Sequence, residues 1–309
     1  MRNQRKKIGA IMQTPRESPE LSGEQRRIHS RIGKLLAGSS KRQHRVAAFF
    51  LENFEDAVFM SIPQLAEAAG VSTSTIARFP QLLGYRNFPS FQKDLRQEVK
   101  QQLRPPYRLA RNESRGLGKI EKRIRRYCEQ HIYDLQKTYE GIKPEDFERG
   151  INLIIRSRWV WVVGMRGSHA LAHDFNFKLR QILRKSSLIS LGSGDSLDSL
   201  VMIRPEDLVV GFSFSRFTRS TVDLVRAGKE RGAKTLTFSD RLVSPLTPYS
   251  DVNFVIHVKG LTFTNAYVGA FSLINCLLGE VSTRTKRLSV RNLQDLDAQL
   301  LKGNIFYFG

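Results

Sequence analysis

The chain has 309 residues and a formal net charge of +21, with 50 Lys and Arg against 29 Asp and Glu. Apolar residues make up 40% of it and charged residues 26%, which is typical of soluble globular proteins, and the length suits two domains. The positive surplus favours polyanionic partners such as nucleic acid, although a solvated basic surface would give the same charge.

Cysteine content and hydropathy exclude several classes of protein. Cys128 and Cys276 are far apart and lack CxxC spacing, which argues against a disulfide framework or a zinc site and fits a reducing cytoplasm. The longest intense apolar run, residues 159–163, is far too short to span a bilayer. The sequence therefore predicts a cytoplasmic protein with no membrane contact.

The N-terminal part of the chain is predicted to be helical. Residues 1–23 are basic and then rich in Pro, Ser and Glu, which predicts a disordered arm. Over residues 24–102 apolar side chains recur at helical spacing. Residues 103–118 hold two prolines and two glycines among charges and are predicted to be a linker. A further helix is expected over 119–139, ending at Gly141.

The hydrophobic pattern of the sequence changes after Pro144. Short β-branched runs alternate with stretches of helical period, which is the pattern of βαβ units around a parallel sheet. The predicted strands are residues 159–163, 187–191, 208–214, 234–238 and 252–258. The predicted helices are residues 168–184, 195–201, 220–231 and 266–279, with a turn near Ser244.

Residues 61–83 have the pattern of a helix-turn-helix unit. Ser61 and Gln64 have the spacing of a capping box at the start of a first helix. Gly70 suits a left-handed turn at the end of that helix, and Ser72 can cap a second helix. Two helices joined by a short turn that contains glycine form the bihelical unit that reads DNA.

The second helix of this unit begins with hydroxyl side chains, which suit phosphates and base edges, and Arg78 follows one turn later. The predicted DNA contacts are Ser72, Ser74, Thr75, Arg78, Arg86 and Lys93. For Ser72, a plain N-cap is the alternative role. Pro80 lies inside the helix and removes a backbone hydrogen bond, so we expect it to kink or end the helix, which weakens Gln81 as a contact.

A glycine-containing turn lies between the predicted strand and helix of residues 162–179. Gly164 and Gly167 allow close backbone approach, and Ser168 lies where a helix N-terminus would present free N–H groups to an anion. Tight packing alone is the alternative. The pattern is not GxGxxG and lacks the acidic residue that binds a ribose, so no dinucleotide cofactor is predicted.

Two parts of the chain resemble the RpiR family of bacterial transcriptional regulators. The motifs FMSIPQLAEAAGVSTSTIARF and LGYRNFPSFQKDLRQE resemble its DNA-binding domain. The turn at residues 164–168 and the segments DLVVGFSFSRFTRSTVDLV, RGAKTLTFSD and SPLTPYSDVNFVI resemble its sugar isomerase (SIS) domain. The resemblance implies an all-α helix-turn-helix domain over 24–102, plus an α/β SIS domain over 119–309 with a parallel sheet flanked by helices.

Phosphosugar-binding members of this family hold the phosphate in a loop that resembles S-x-S-G-x-T. Here the loop reads SFSRFTR over residues 213–219, with Arg216 in place of the glycine. Arg216 and Arg219 could bind an anion bidentately, or Arg216 could fill the pocket and abolish the usual ligand. The implied ligand-binding residues are Gly164, Gly167, Ser168, Ser213, Ser215, Arg216, Thr218 and Arg219, with Asp195 and Ser196 as further candidates.

The resemblance implies a regulator and not an enzyme. Such a protein would bind a double-stranded DNA operator as a homodimer or homotetramer and sense a small-molecule effector such as a phosphosugar. One alternative is a DNA-binding protein whose SIS domain only dimerises; another is a sugar-phosphate isomerase, for which Glu280 and His173 are nominal bases outside any catalytic motif. His169 and His173 have a spacing that can bind metal, but nothing is placed to complete a site, so no metal is predicted.

Overall fold

The computed structural model describes residues 27–36, 40–102, 104–106, 108–109, 119–190 and 200–307. The predicted arm, most of the predicted linker, most of the predicted helix 195–201, and Asp195 and Ser196 lie outside these residues. The chain divides into two compact units between Gln101 and Gln102. The precise domain and linker bounds given above stay predictions.

The described part of the first unit is built from helices around an aromatic core. They are α1 (Arg27–Leu36), α2 (Lys41–Glu52), α3 (Phe54–Ala57), α4 (Ile62–Ala69), α5 (Thr73–Leu82) and α6 (Phe88–Gln102). The buried ring of Phe50 stacks on Phe79 with centroids 5.3 Å apart and meets Phe91 edge-on at 5.4 Å. Since these rings come from α2, α5 and α6, one cluster fixes α5 against its neighbours.

Local signals in the sequence determine how α4 and α5 begin and end. The predicted capping box of Ser61 and Gln64 is confirmed at the start of α4. Gly70 ends that helix in the left-handed conformation, with φ +63°, and its carbonyl accepts a hydrogen bond of 3.0 Å from Arg45 Nη1. Ser72 then caps α5 through the backbone N–H of Thr75. The predicted pair of helices joined by a glycine turn is therefore confirmed.

Pro80 disturbs α5 less than the sequence predicts. The helix continues through Pro80 and ends at Leu82, two residues later. Because Pro80 lies in the last turn, its missing N–H removes one hydrogen bond close to the point where the helix ends anyway. Its ring is buried, and its carbonyl accepts hydrogen bonds of 3.0 Å from the backbone N–H groups of Leu83 and Tyr85. Gln81 therefore stays on the exposed last turn of α5.

The second unit contains a parallel sheet of five strands in the order β2-β1-β3-β4-β5. The strands are β1 (Val160–Gly164), β2 (Ser186–Ile189), β3 (Leu208–Phe212), β4 (Lys234–Ser239) and β5 (Val252–Val255). The described helices of this unit are α7 (Ile120–Glu140), α8 (Pro144–Arg156), α9 (His169–Leu183), α10 (Arg219–Glu230), α11 (Val268–Arg284) and α12 (Lys286–Lys302). All five predicted strands are confirmed to within a few residues.

Helices cover both faces of the sheet, as expected for buried parallel strands. Val160 and Val162 of β1 belong to a core shared with α8, α9 and α11, whereas Trp161 and Val163 belong to a second core shared with α10. The predicted architecture, an all-helical unit followed by an α/β unit with a parallel sheet, is therefore confirmed. No helix in the described parts of the chain combines the length and apolar character that crossing a membrane requires.

Two helices of the second unit are not predicted from the sequence. Helix α8 buries only Gly150, Ile151 and Ile154, and α12 buries only the polar side chains of Ser289 and Asn292. The weak apolar face of α12 explains why that helix is not predicted. Helix α8 has a clear apolar face that packs Phe147, Leu153 and Ile155 against the core, so its helical period was present in the sequence but was not recognised. The predicted end of α7 at Gly141 is confirmed.

Candidate functional site

Helix α5 presents its polar first turns to solvent. Ser72, Ser74 and Arg78 are exposed and Thr75 is partly exposed. Ser72 Oγ accepts from the Thr75 backbone N–H at 3.3 Å and lies 3.0 Å and 2.8 Å from the hydroxyls of Ser74 and Thr75. Ser72 thus acts as the N-cap, while hydroxyl groups and a guanidinium occupy the end of the helix that enters a major groove in helix-turn-helix proteins.

The two remaining predicted DNA contacts lie after α5. Arg86 is in the connection to α6 and Lys93 is in α6, and both side chains are exposed. Exposed cations near a reading helix suit phosphate contacts, which position a protein on DNA without reading its sequence.

A basic cleft beside α5 is not predicted from the sequence. It has a volume of about 490 Å³, and its lining residues are Arg42, Arg45, Ala66, Glu67, Gly70, Val71, Ser72 and Thr75. Arg42 and Arg45 belong to the first turns of α2, both are exposed, and the Arg45 guanidinium is held by the Gly70 carbonyl. The sequence signal is the basic run KRQHR at residues 41–45, but only packing of α2 against α4 and α5 brings it to the turn.

The predicted ligand loops of the second unit meet at one edge of the sheet. Strands β1 and β3 are neighbours, and Gly164 pairs in register with Phe212 at their carboxyl ends. From there the chain leads to β2 on one side and to β4 on the other, which makes this edge the topological switch point where α/β sheets bind ligands. Helices α9 and α10 both begin at this edge, each with N–H groups that can face an anion.

Gly164 is required by the packing of the turn that follows β1. A Cβ atom on Gly164 would lie 2.7 Å from the backbone oxygen of Ser168 and 3.0 Å from the Cβ of Ala172. Any larger residue would therefore displace the start of α9. Ser168 is buried at this start, whereas a Cβ on the exposed Gly167 would lie 3.1 Å from the hydroxyl of Tyr267. Tight packing, the alternative role for the glycines of this turn, thus accounts for Gly164.

The loop after β3 keeps the backbone shape that a glycine would allow. Arg216 has φ +69°, in the left-handed region, and its side chain is exposed. Ser213 is buried, Ser215 is partly buried, and Thr218 is the residue immediately before α10. The structure thus brings Ser213, Ser215 and Thr218 to the same edge as Ser168.

Arg219 lies apart from this group. Its side chain is 96% exposed, and its Nε atom is 3.8 Å from a carboxylate oxygen of Asp223. Bidentate binding of an anion by Arg216 and Arg219 together remains a prediction that no contact in the described structure supports.

Two residues beside the loop escape prediction from the sequence. Arg241 Nη2 donates to Ser215 Oγ at 2.6 Å and to Asp240 Oδ2 at 3.1 Å, and Ser215 Oγ is itself hydrogen-bonded to Asp240 Oδ2. Both residues directly follow β4, whose register with β3 pairs Phe212 with Phe238. In the sequence these two residues appear only as the end of the segment FSDR, after a predicted strand. They could be assigned to the ligand loop only once it was known that β4 is the neighbour of β3.

Exchanging Arg216 for glycine is expected to stabilise the protein by about 1 kcal/mol, because glycine adopts φ +69° without the steric cost that a side chain adds. Arg219→Gly is the matched control, since it removes a nearby exposed arginine at the first residue of α10, where glycine relieves no strain and has a lower helix propensity than arginine. Chemical denaturation of the two variants should therefore give shifts of opposite sign. Equal destabilisation by both would contradict the loop conformation.

The residues considered for catalysis or metal binding lie on helix surfaces. The exposed ring of His173 stacks on Phe177 with centroids 6.3 Å apart, and Glu280 Oε2 lies 3.9 Å from Arg284 Nε. His169 is partly buried one turn before His173. Among the residues described, no group of three or more His, Cys, Asp or Glu side chains is arranged to hold a metal ion.

Sequence relatives of the chain are named as regulators. HexR, an HTH-type transcriptional regulator of Pseudomonas aeruginosa, is 25% identical over 211 residues, which cover 68% of this chain and 70% of HexR. An uncharacterized HTH-type transcriptional regulator of Clostridium perfringens is 24% identical over 234 residues, which cover 74% of this chain and 78% of that regulator.

Solved structures share the fold. The sugar isomerase domain of an RpiR transcription factor from Sphaerobacter thermophilus covers 56% of this chain and 97% of its own, with 28% identity and a TM-score of 0.54. Vibrio vulnificus NanR complexed with ManNAc-6P covers 89% of this chain and 98% of its own, with 19% identity and a TM-score of 0.59.

Two family models match the chain in succession. Residues 27–102 match the helix-turn-helix domain of the rpiR family, and residues 153–278 match the SIS domain. The order of the two domains and the fold of each agree with the resemblance found in the sequence. The chain belongs to the RpiR family of transcriptional regulators, with an N-terminal helix-turn-helix domain and a C-terminal SIS domain.

Proposed function

We propose that this protein is a cytoplasmic transcriptional regulator that binds a double-stranded DNA operator as a homodimer or homotetramer. The observation that carries this proposal is the exposed start of α5, where Ser74, Thr75 and Arg78 are available to a DNA groove beside a basic cleft. A two-fold assembly would offer two such helices to successive major grooves, so the operator would be an inverted repeat.

The residues around α5 would make different kinds of contact with DNA. Ser74, Thr75 and Arg78 would reach base edges or adjacent phosphates, and Ser72 would hold the start of the helix as its cap. Arg42, Arg45, Arg86 and Lys93 would contact phosphates, which adds affinity that weakens with salt.

We infer that the SIS domain senses a small phosphorylated sugar or another small anion. The supporting observation is the switch point between β1 and β3, where Ser168, Ser213, Ser215 and Thr218 meet the first turns of two helices. A related fold, that of NanR, has been solved with ManNAc-6P. An effector that binds one geometry of the assembly more tightly than another would change the affinity for the operator.

A role in sensing, without catalysis, fits the side chains present. Aldose–ketose isomerisation needs a general base beside the substrate carbon. The His173 ring stacks on Phe177 and Glu280 lies beside Arg284, so each nominal base makes these contacts within its own helix. A turnover assay with sugar phosphates should therefore detect no isomerisation.

The second candidate function is a DNA-binding protein whose SIS domain only dimerises. The observation that favours it is the engagement of Ser215 by Asp240 and Arg241, which occupies a hydroxyl that a phosphate would use.

The two candidates differ in whether DNA affinity responds to a ligand. We would measure fluorescence anisotropy of the full chain on DNA recovered by selection, with and without a panel of phosphosugars and sugar acids. A sensor should change its DNA affinity by about 5- to 150-fold with one class of compound, the usual range of coupling between sites. Constant affinity across the panel, with DNA binding intact, would favour the dimerisation-only function.

A further inference from the structure

Asp240 and Arg241 form a buried pair of opposite charges at the edge of the proposed effector pocket. Their side chains are 7% and 3% exposed, and Arg241 Nη2 lies 3.1 Å from Asp240 Oδ2. The guanidinium also faces the ring of Phe217, with its carbon 5.9 Å from the ring centroid. Both residues are thus held inside the protein next to the loop after β3.

The Asp240 carboxylate makes the contacts that an anionic ligand would make in this place. Its Oδ2 atom is hydrogen-bonded to the Ser215 hydroxyl and to the Arg241 guanidinium. A hydroxyl and a guanidinium around one oxygen also suit a phosphate oxygen, because charge-assisted hydrogen bonds favour carboxylates and phosphates alike. Ser215 in turn receives a hydrogen bond of 2.6 Å from Arg241, which closes the cluster.

The carboxylate is held through only one of its oxygens. Asp240 Oδ1 is buried and makes no hydrogen bond within the described part of the chain. An unsatisfied buried carboxylate oxygen carries a desolvation penalty, so release of Asp240 toward water would recover part of the cost of displacing it. The φ of +69° at Arg216 shows that the loop around this position keeps its glycine-like backbone.

We propose that Asp240 occupies, in the free protein, the position of the effector's phosphate, and that the effector binds by displacing the Asp240 carboxylate from Ser215 and Arg241. The inference rests on the proposed function of the SIS domain and adds a residue that sets its affinity. Because the internal carboxylate competes with the ligand, the pocket selects strongly charged phosphate monoesters over neutral sugars and weak anions.

Asp240→Asn in the full-length chain tests this displacement. The variant keeps the size of the side chain and removes its charge, so Arg241 loses the carboxylate bound to it. We expect a lower melting temperature than wild type in phosphate-free buffer, and recovery when inorganic phosphate replaces chloride at constant ionic strength. Calorimetric titration should show phosphate binding about tenfold more tightly to the variant than to wild type, because the competing carboxylate is gone.

Asp295→Asn is the matched control. Asp295 pairs with Arg184 at 3.2 Å, but both side chains are about half exposed, and Arg184 follows the far end of α9. This control should change the melting temperature little and show no recovery specific to phosphate. Asp240→Ser, which gives Arg241 a hydroxyl partner in a smaller side chain, is measured in parallel, so that the test survives if one variant fails to fold.

Two results would overturn the proposal, and they separate it from the proposed function. If a phosphosugar stabilises wild type but binds the Asp240 variants no more tightly, displacement is wrong and the sensor stands. If neither wild type nor either variant binds inorganic phosphate or any phosphosugar, both the displacement and phosphosugar sensing are wrong.

Discussion

Arg78→Ala is expected to weaken operator binding by about 1–3 kcal/mol and to relax the sequence preference at the contacted base pair. Arg78 lies one turn after the start of α5 and is exposed, so its loss should leave folding unchanged while it removes a group that reaches the groove. Anisotropy titrations on the operator and on an unrelated duplex would measure both effects, with the melting temperature as the check on folding.

Two further variants define what the Arg78 result means. Arg226→Ala removes an arginine of α10 that pairs with Asp223 at 3.0 Å, and it should leave DNA binding unchanged. Lys93→Ala should weaken binding to all sequences alike and lower the salt dependence by about one phosphate contact. If Arg78→Ala, like Lys93→Ala, weakens binding to all sequences alike, Arg78 contacts the DNA phosphate backbone. If Arg78→Ala, like Arg226→Ala, leaves DNA affinity unchanged, α5 is not the reading helix.

Phe50→Ala is expected to destabilise the first unit by about 3–5 kcal/mol, the usual cost of removing a buried aromatic side chain. Phe50 is fully buried and joins the rings of Phe79 and Phe91, so the variant would leave a cavity that separates α2 from α5 and α6. Since the second unit has its own core, DNA binding should be lost while stabilisation by phosphate-containing ligands persists. Calorimetry with and without ligand would detect both.

Phe49→Ala is the control for that variant. Phe49 is the neighbouring residue of α2, has the same side chain and is only partly buried, so its truncation should cost clearly less. Similar losses for the two variants would mean that the stacked cluster does not hold α5 in place.

Features that depend on local sequence were predictable. The caps at Ser61 and Ser72 and the turn at Gly70 involve residues within four positions of each other, so spacing alone predicts them. Strands β1 and β3 were predictable because central parallel strands buried on both faces are nearly continuous apolar runs, whereas β4 and β5 carry polar residues between their apolar ones and were recognised by their β-branched and aromatic content. Helix α12 was not, because it buries Ser289 and Asn292 and presents Leu288, Val290 and Leu293 partly to solvent.

The residues of the candidate sites that were not predicted from the sequence reach those sites through long-range packing. The loop at residues 213–219 was found because its residue types follow a family motif, but Asp240 and Arg241 reach it only through the pairing of β4 with β3. Arg42 and Arg45 likewise meet the turn at Gly70 only because α2 packs against α4 and α5. Spacing along the chain therefore predicts neither the contact of Asp240 and Arg241 with the loop nor the contact of Arg42 and Arg45 with the turn.

Selection of DNA by the full-length protein from a random duplex pool, carried out with wild type and with Arg78→Ala, tests most directly whether α5 reads the operator. We predict that wild type enriches an inverted repeat with half-sites about 10 base pairs apart or a multiple of that spacing, and that Arg78→Ala enriches this repeat less strongly and without preference at the base pair that Arg78 contacts. Recovery of no preferred sequence by wild type, or of the same repeat by Arg78→Ala with the affinity of wild type, would contradict the assignment of α5 as the helix that reads the operator.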